Sequence, residues 1–204
     1  HTTRIIERVA GSATGVQGTT GDHGPAIDAT LTFPQDVAVT GGHLYLTDSQ
    51  KGLRVVDLAT GIIDTVPLTG ARGLAVDHLG RVLIAESSSI RRYDPTTQAF
   101  TTLVTMGDAD GPGAPGGPVV AQGLSPMDVV ELPSGEVAWS EDWSAGGAAG
   151  GQRVRRADLV ARTVVTMAGG STAGFSGDGG PSTAAMLAGP SALAVASDGD
   201  LLIA

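Results

Sequence analysis

Three carboxylates recur at matching places along the chain, Asp48, Glu86 and Glu141, and each is followed by an arginine, Arg54, Arg91 and Arg155. Gathered around one point, three acids could hold a divalent metal and activate a water. Kept within their own local units, they would cap turns or pair with the arginines instead. Recurrence in every copy of a repeat favours the structural role, because an active site breaks a repeat rather than obeying it. Asp108-Ala109-Asp110-Gly111 opens like a calcium loop. No third acid follows at the right step, however, and Val119 stands where the closing Glu would be. His1, His23, His43 and His78 lack the close spacing of a ligand pair, and neither a Gly-x-Ser-x-Gly elbow nor a phosphate loop occurs. No catalytic residue, metal-ligand set or cofactor is therefore assigned, and calcium is the one ion weighed.

Charge narrows the classes further. The 204 residues include 21 acidic and 12 basic side chains, a net charge of −9, with Lys51 the single lysine. A nucleic-acid surface needs clustered Lys and Arg, so none is expected. No apolar run approaches the roughly 18 residues of a membrane-spanning helix, so no membrane insertion is expected. There is no Cys and no Asn, which removes disulfides, thiolate metal sites and N-glycosylation.

The elements that position these residues repeat. Each unit has a short apolar strand, a second strand ending in an acid, a third carrying Arg, and a fourth rich in β-branched residues. Units start at Asp36, Gly73, Asp128 and Ala192, giving periods of 37, 55 and 64 residues, and the last stops after its second strand. A stray strand is expected at Arg4–Val9. Four short strands per unit, joined by Gly-, Asp- and Ser-rich turns, read as the antiparallel blade of an all-β propeller. The insertions repeat as well. Gly21-Asp22-His23-Gly24-Pro25 aligns without gaps on Gly177-Asp178-Gly179-Gly180-Pro181 at an offset of 156, and a looser copy begins at Gly116-Gly117-Pro118. Pro followed by Ala-rich residues predicts one short helical turn in each.

Gly174-Phe175-Ser176-Gly177-Asp178-Gly179-Gly180-Pro181, an Ala-rich stretch, Pro190 and an apolar strand together resemble the NHL-repeat propellers of bacterial proteins and the NHL region of teneurins. Such repeats usually continue Asp-Thr-Gly-Asn-His-Arg-Ile, where this chain has Asp48-Ser49-Gln50-Lys51-Gly52-Leu53-Arg54. The resemblance implies one propeller segment over residues 1–204. Residues 1–10 would be the outer strand of a preceding blade, 34–67, 71–104 and 126–167 three full blades, and 190–204 the start of another. It also implies that these four blades' worth belong to a six-bladed ring in a longer protein, the alternative being a compact four-bladed ring with one defective blade.

Strand alternation places the insertions 11–33, 105–125, 142–152 and 169–189 on one face with the turns between second and third strands. Asp22, Asp28, Asp108, Asp110, Asp142 and Asp178 lie there against Lys51 alone, a local charge of −5. The candidate binding residues are Asp22, Asp108, Asp110, Asp142, Asp178 and Trp143, the last either an interface anchor or a cover for a neighbouring blade. The expected function is a non-catalytic module presenting this acidic face to a protein, small-molecule or carbohydrate ligand, within a bacterial secreted or surface protein. The alternative is a metal-dependent propeller lyase or hydrolase whose tunnel site is incomplete in this chain.

Overall fold

The computed structural model describes residues 6–142 and 151–204. Their regular structure is strand throughout, apart from two single 3-10 turns at Ala26–Asp28 and Ser182–Ala184. Val, Ile, Leu, Thr and Tyr dominate the strands, while Gly, Asp and Ser fill the connections, as expected of half-buried pleated segments between tight turns. The chain divides into two compact units, His1–Ala71 and Arg72–Ala204.

The first unit holds one sheet. Strands β1 (Gly24–Pro25), β2 (Val37–Thr40), β3 (His43–Asp48), β4 (Gly52–Asp57) and β5 (Ile62–Pro67) lie in the order β1-β5-β4-β3-β2. The four long strands form an antiparallel meander, and β1 comes from the insertion, pairing Gly24 with Ile63. Its core is small: Ala26 and Ala29 pack with Leu46, Val56 and Ile63.

The second unit holds two full sheets and a hairpin. Strands β6 (Ala71–Val76), β7 (Val82–Glu86), β8 (Ser89–Asp94), β9 (Ala99–Gly107) and β10 (Val119–Gln122) form one sheet. Strands β11 (Pro126–Glu131), β12 (Val137–Glu141), β13 (Gln152–Asp158) and β14 (Thr163–Gly170) form the next, and β15 (Leu193–Val195) pairs with β16 (Leu201–Ile203). Every residue of β7 and β12 is buried. Leu83, Ile90 and Val104 of one sheet share a core with Val129, Val137 and Trp139 of the next. Val154 and Ala168 then pack against Leu193 of the hairpin, so the sheets stack in sequence order.

The repeat unit is thus present, with three departures. The 3-10 turns follow Pro25 and Pro181, but the copy at Pro118 runs on as β10, parallel to β9. Val119 is β-branched where the other copies have Ala26 and Ser182, so two β-branched residues stand in a row there and favour a strand. β9 and β14 extend to Gly107 and Gly170, past the blade ends expected at residues 104 and 167. Ile6–Val9, expected to be part of a strand, lie in none, while Arg4 and Ile5 fall outside the described residues.

The third-to-fourth-strand turns share one design. The Oδ1 of Asp57, Asp94 and Asp158 accepts N–H bonds from the second and third residues beyond it, at 2.8–3.3 Å. Each turn then needs a residue with positive φ before the fourth strand: Gly61 (72°), Gln98 (56°) and Arg162 (59°). A side chain in that conformation is strained, and glycine is not. Gln98→Gly is expected to raise stability by about 1 kcal/mol, a thermal midpoint shift of roughly 2–4 °C. A scan showing no rise would show that this turn holds no such strain.

Candidate functional site

In each unit an insertion is held to a sheet by charge. In the first unit the Arg54 side chain is fully buried on β4, and its guanidinium donates to Asp22 Oδ1 at 2.8 Å. Lys51 Nζ reaches Asp22 Oδ2 at 3.1 Å, and Thr65 Oγ1 lies 2.9 and 3.0 Å from the two carboxylate oxygens. In the second unit Arg155, also buried, meets Asp110 of the 105–125 insertion at 2.5 Å and donates to the Gln122 carbonyl at 3.1 Å. An aspartate from the preceding insertion thus neutralises the third-strand arginine of the following sheet. The sheet containing Arg91 has no such insertion before it. Its Arg91 lies over the Phe100 ring at 4.2 Å and pairs with Glu86 at 3.5 Å.

The three repeated acids turn inward on their own sheets. Asp48 is a backbone cap: it accepts from Thr32 N at 2.8 Å and from Gln50 N and Lys51 N at 3.0 Å, and Arg54 goes to Asp22 instead. Glu86 accepts from Ser89 Oγ. Glu141, 1% exposed, accepts from Trp139 Nε1 at 2.7 Å and Arg153 Nε at 2.6 Å, with Arg155 at 3.5 Å. Among the described residues no three His, Asp or Glu side chains are grouped to hold a metal ion.

The candidate binding residues separate accordingly. Asp22 and Asp110 are structural partners of buried arginines. Asp142 accepts from Gln152 Nε2 at 2.7 Å, and Gln152 in turn accepts from Gly189 N, which fixes the end of the 169–189 insertion. Asp108 and Asp178 are exposed and make no ion pair among the described residues. Trp143 lies outside the described residues. Within the second unit, the 105–125 insertion meets Arg153 and Arg155, and the 169–189 insertion meets Gln152. Both therefore stand at the end of β13 where the 142–152 turn emerges. At the other end of this unit His78 N and Nδ1 bond Glu131 Oε2 at 2.7 and 2.8 Å, bridging successive first-to-second-strand turns. The −5 charge read along the insertions is reduced where Arg54 and Arg155 reach in from the strands. Those two arginines escape a loop-by-loop count because they lie in strands, although apolar-Arg-x-apolar in each third strand marks them.

Several solved structures share this fold. A Bacteroides thetaiotaomicron VPI-5482 protein of unknown function matches with a TM-score of 0.65 at 18% identity, over 84% of this chain and 44% of its own. An auxiliary nutrient binding protein from the same organism matches at 0.60 and 15%, over 88% and 44%. The fold is that of a β-propeller. A gluconolactonase from Xanthomonas campestris shares the propeller architecture at 0.54 and 18% identity, over 72% of this chain and 52% of its own. This chain spans about half the length of these propellers. No family model matches the chain, and no curated protein does.

Burial pushes the Asp22 carboxyl up, but hydrogen bonds from Lys51 and Thr65 and the charges of Arg54 and Lys51 outweigh it, holding the group below its ordinary 3.8. A lowered folded-state value means that the stabilisation is complete above the ordinary value and is lost as pH falls through the folded one. Asp22→Asn is expected to cost about 2 kcal/mol near neutral pH. Its thermal midpoint should then fall less steeply than the parent's on acidification below pH 4 or so. Parallel curves would show that the Asp22 charge contributes nothing to folding.

Proposed function

We propose that this chain is a non-catalytic binding module of the NHL-repeat type, which presents acidic insertion loops to a basic protein segment as part of a larger bacterial secreted or surface protein. The observation that carries this reading is the division of labour among the insertion acids. Asp22 and Asp110 are committed to buried arginines, while Asp108 and Asp178 project without a counter-ion among the described residues. A carboxylate without an internal role keeps its field available to a partner. Trp143 follows Asp142 in the sequence of the 142–152 insertion, and an aromatic side chain there would supply the apolar anchor that charge alone lacks. The held pairs supply rigidity, since loops displayed by a fixed scaffold bind at lower entropic cost. The NHL-like Gly-Asp-x-Gly-Pro segments supply the loops, and the likeness in fold to an auxiliary nutrient binding protein supports the reading.

The test is selection from a random peptide library against the purified chain. Enriched peptides are expected to be rich in Lys and Arg and to lose affinity as salt rises. The double substitution Asp108→Asn with Asp178→Asn should weaken them about tenfold with the fold intact by circular dichroism. Trp143→Ala should weaken them further and leave the thermal midpoint unchanged. Enrichment of uncharged peptides, or binding indifferent to both acids, would overturn the acidic-face reading.

A further inference from the structure

Arg92 and Arg162 are cations that the repeat leaves without a carboxylate of their own. Register places Arg92 of β8 opposite Leu83, as Arg156 of β13 lies opposite Ala138. Arg156 has its carboxylate, Glu136, at 2.7 Å. Where Glu136 precedes β12, Arg81 precedes β7 and adds a second positive charge beside Arg92. The acid in reach is the buried Asp77, and Arg81 Nε takes its Oδ2 at 2.7 Å. Arg92 Nε lies 3.2 Å from that same oxygen, buried and without hydrogen-bonding alignment. Glu131, whose charge also reaches Arg92, is bonded by His78. Burial, and then the charge of Arg81, push the Arg92 guanidinium below its ordinary range.

Arg162 stands at the turn position held by Gly61 and Gln98 in the other sheets. It donates to the carbonyls of Gly117, Ala114 and Pro118 at 2.8–3.5 Å and pairs with no carboxylate among the described residues. Both arginines line one cavity of about 500 Å³ within the second unit. Thr101 and Leu103 of β9, Leu159 of the turn after β13 and Pro118 of the 105–125 insertion complete it. Thr101 is the register partner of Arg92, so the two side chains leave the sheet on one face. The insertion wall is fixed by the pairing of β10 with β9, by the Gly111–Val120 bridge and by Arg162 itself. A formed concavity with apolar walls and a few convergent polar groups is the usual shape of a small-molecule site.

We propose that this cavity binds a small organic carboxylate. Arg92 and Arg162 supply the charge, Thr101 a hydroxyl donor, and Leu103, Leu159 and Pro118 the wall for an apolar body. A guanidinium presents a planar fork that matches a carboxylate, and the ligand gives Arg92 what Glu136 gives Arg156. Inorganic phosphate lacks the apolar body that these walls would cover. The site is opposite in charge to the acidic insertion residues and needs neither Asp108 nor Asp178.

The probe is naphthoate, titrated into the chain by isothermal titration calorimetry, with the uncharged naphthamide beside it. Saturable binding of naphthoate is expected, with naphthamide weaker by about tenfold or more. Arg92→Gln should weaken naphthoate about tenfold, and so should Arg81→Glu, which gives Arg92 the internal carboxylate that Arg156 has, each with the fold intact by circular dichroism. Arg156→Gln, and Asp108→Asn combined with Asp178→Asn, should leave the affinity unchanged. No saturable binding, equal binding of naphthamide, or equal losses from Arg92→Gln and Arg156→Gln would each overturn the proposal. Displacement of naphthoate by an equal concentration of inorganic phosphate would overturn the choice of an organic carboxylate.

Discussion

A buried guanidinium on the third strand is the constraint around which the 11–33 and 105–125 insertions are built. Arg54 and Arg155 are 0% and 1% exposed, and an unpaired charge at such depth would cost several kcal/mol. Neither sheet supplies a fully committed acid of its own, because Asp48 caps a turn and Glu141 is shared among Trp139, Arg153 and Arg155. The counter-charge arrives from the insertion that precedes the sheet, Asp22 in one case and Asp110 in the other. Each of these loops is thereby pinned by charge as well as by the strand pairing of β1 or β10.

The exception supports the rule. Before β6 the connection is short, no insertion aspartate exists, and Arg91 is more exposed, stacking on Phe100 and leaning toward Glu86. Stacking an arginine on an aromatic face satisfies the cation without a carboxylate. The same third-strand residue type thus has two solutions, chosen by whether a loop precedes the sheet. Two of the long loops, 11–33 and 105–125, are thus held by a charge pair, which ties them to the fold.

Much of the fold is legible in the residues. Alternating apolar strands, an acid closing each second strand and an arginine in each third define the unit, and Pro25 and Pro181 mark the 3-10 turns. The additions β1 and β10 are not legible, since Gly24–Pro25 has no strand propensity of its own and pairs only because Ile63 lies beside it. Pairing of Asp22 with Arg54 rather than with its nearer neighbour Lys51 alone is a tertiary choice, made across 32 residues of sequence. Asp108 and Asp110 are two residues apart, look equivalent and are both exposed, yet only Asp110 pairs with Arg155. Loop conformation decides between them, and local sequence does not encode it.

The coupling between an insertion aspartate and its arginine is measured most directly by a double-mutant cycle on Asp110 and Arg155, using Asn and Met and following urea unfolding. If the pair anchors the loop, the two single losses should exceed the double loss by about 1.5–3 kcal/mol. Losses that add to within about 0.5 kcal/mol would mean that the two charges ignore each other, and that the insertions are held by something else.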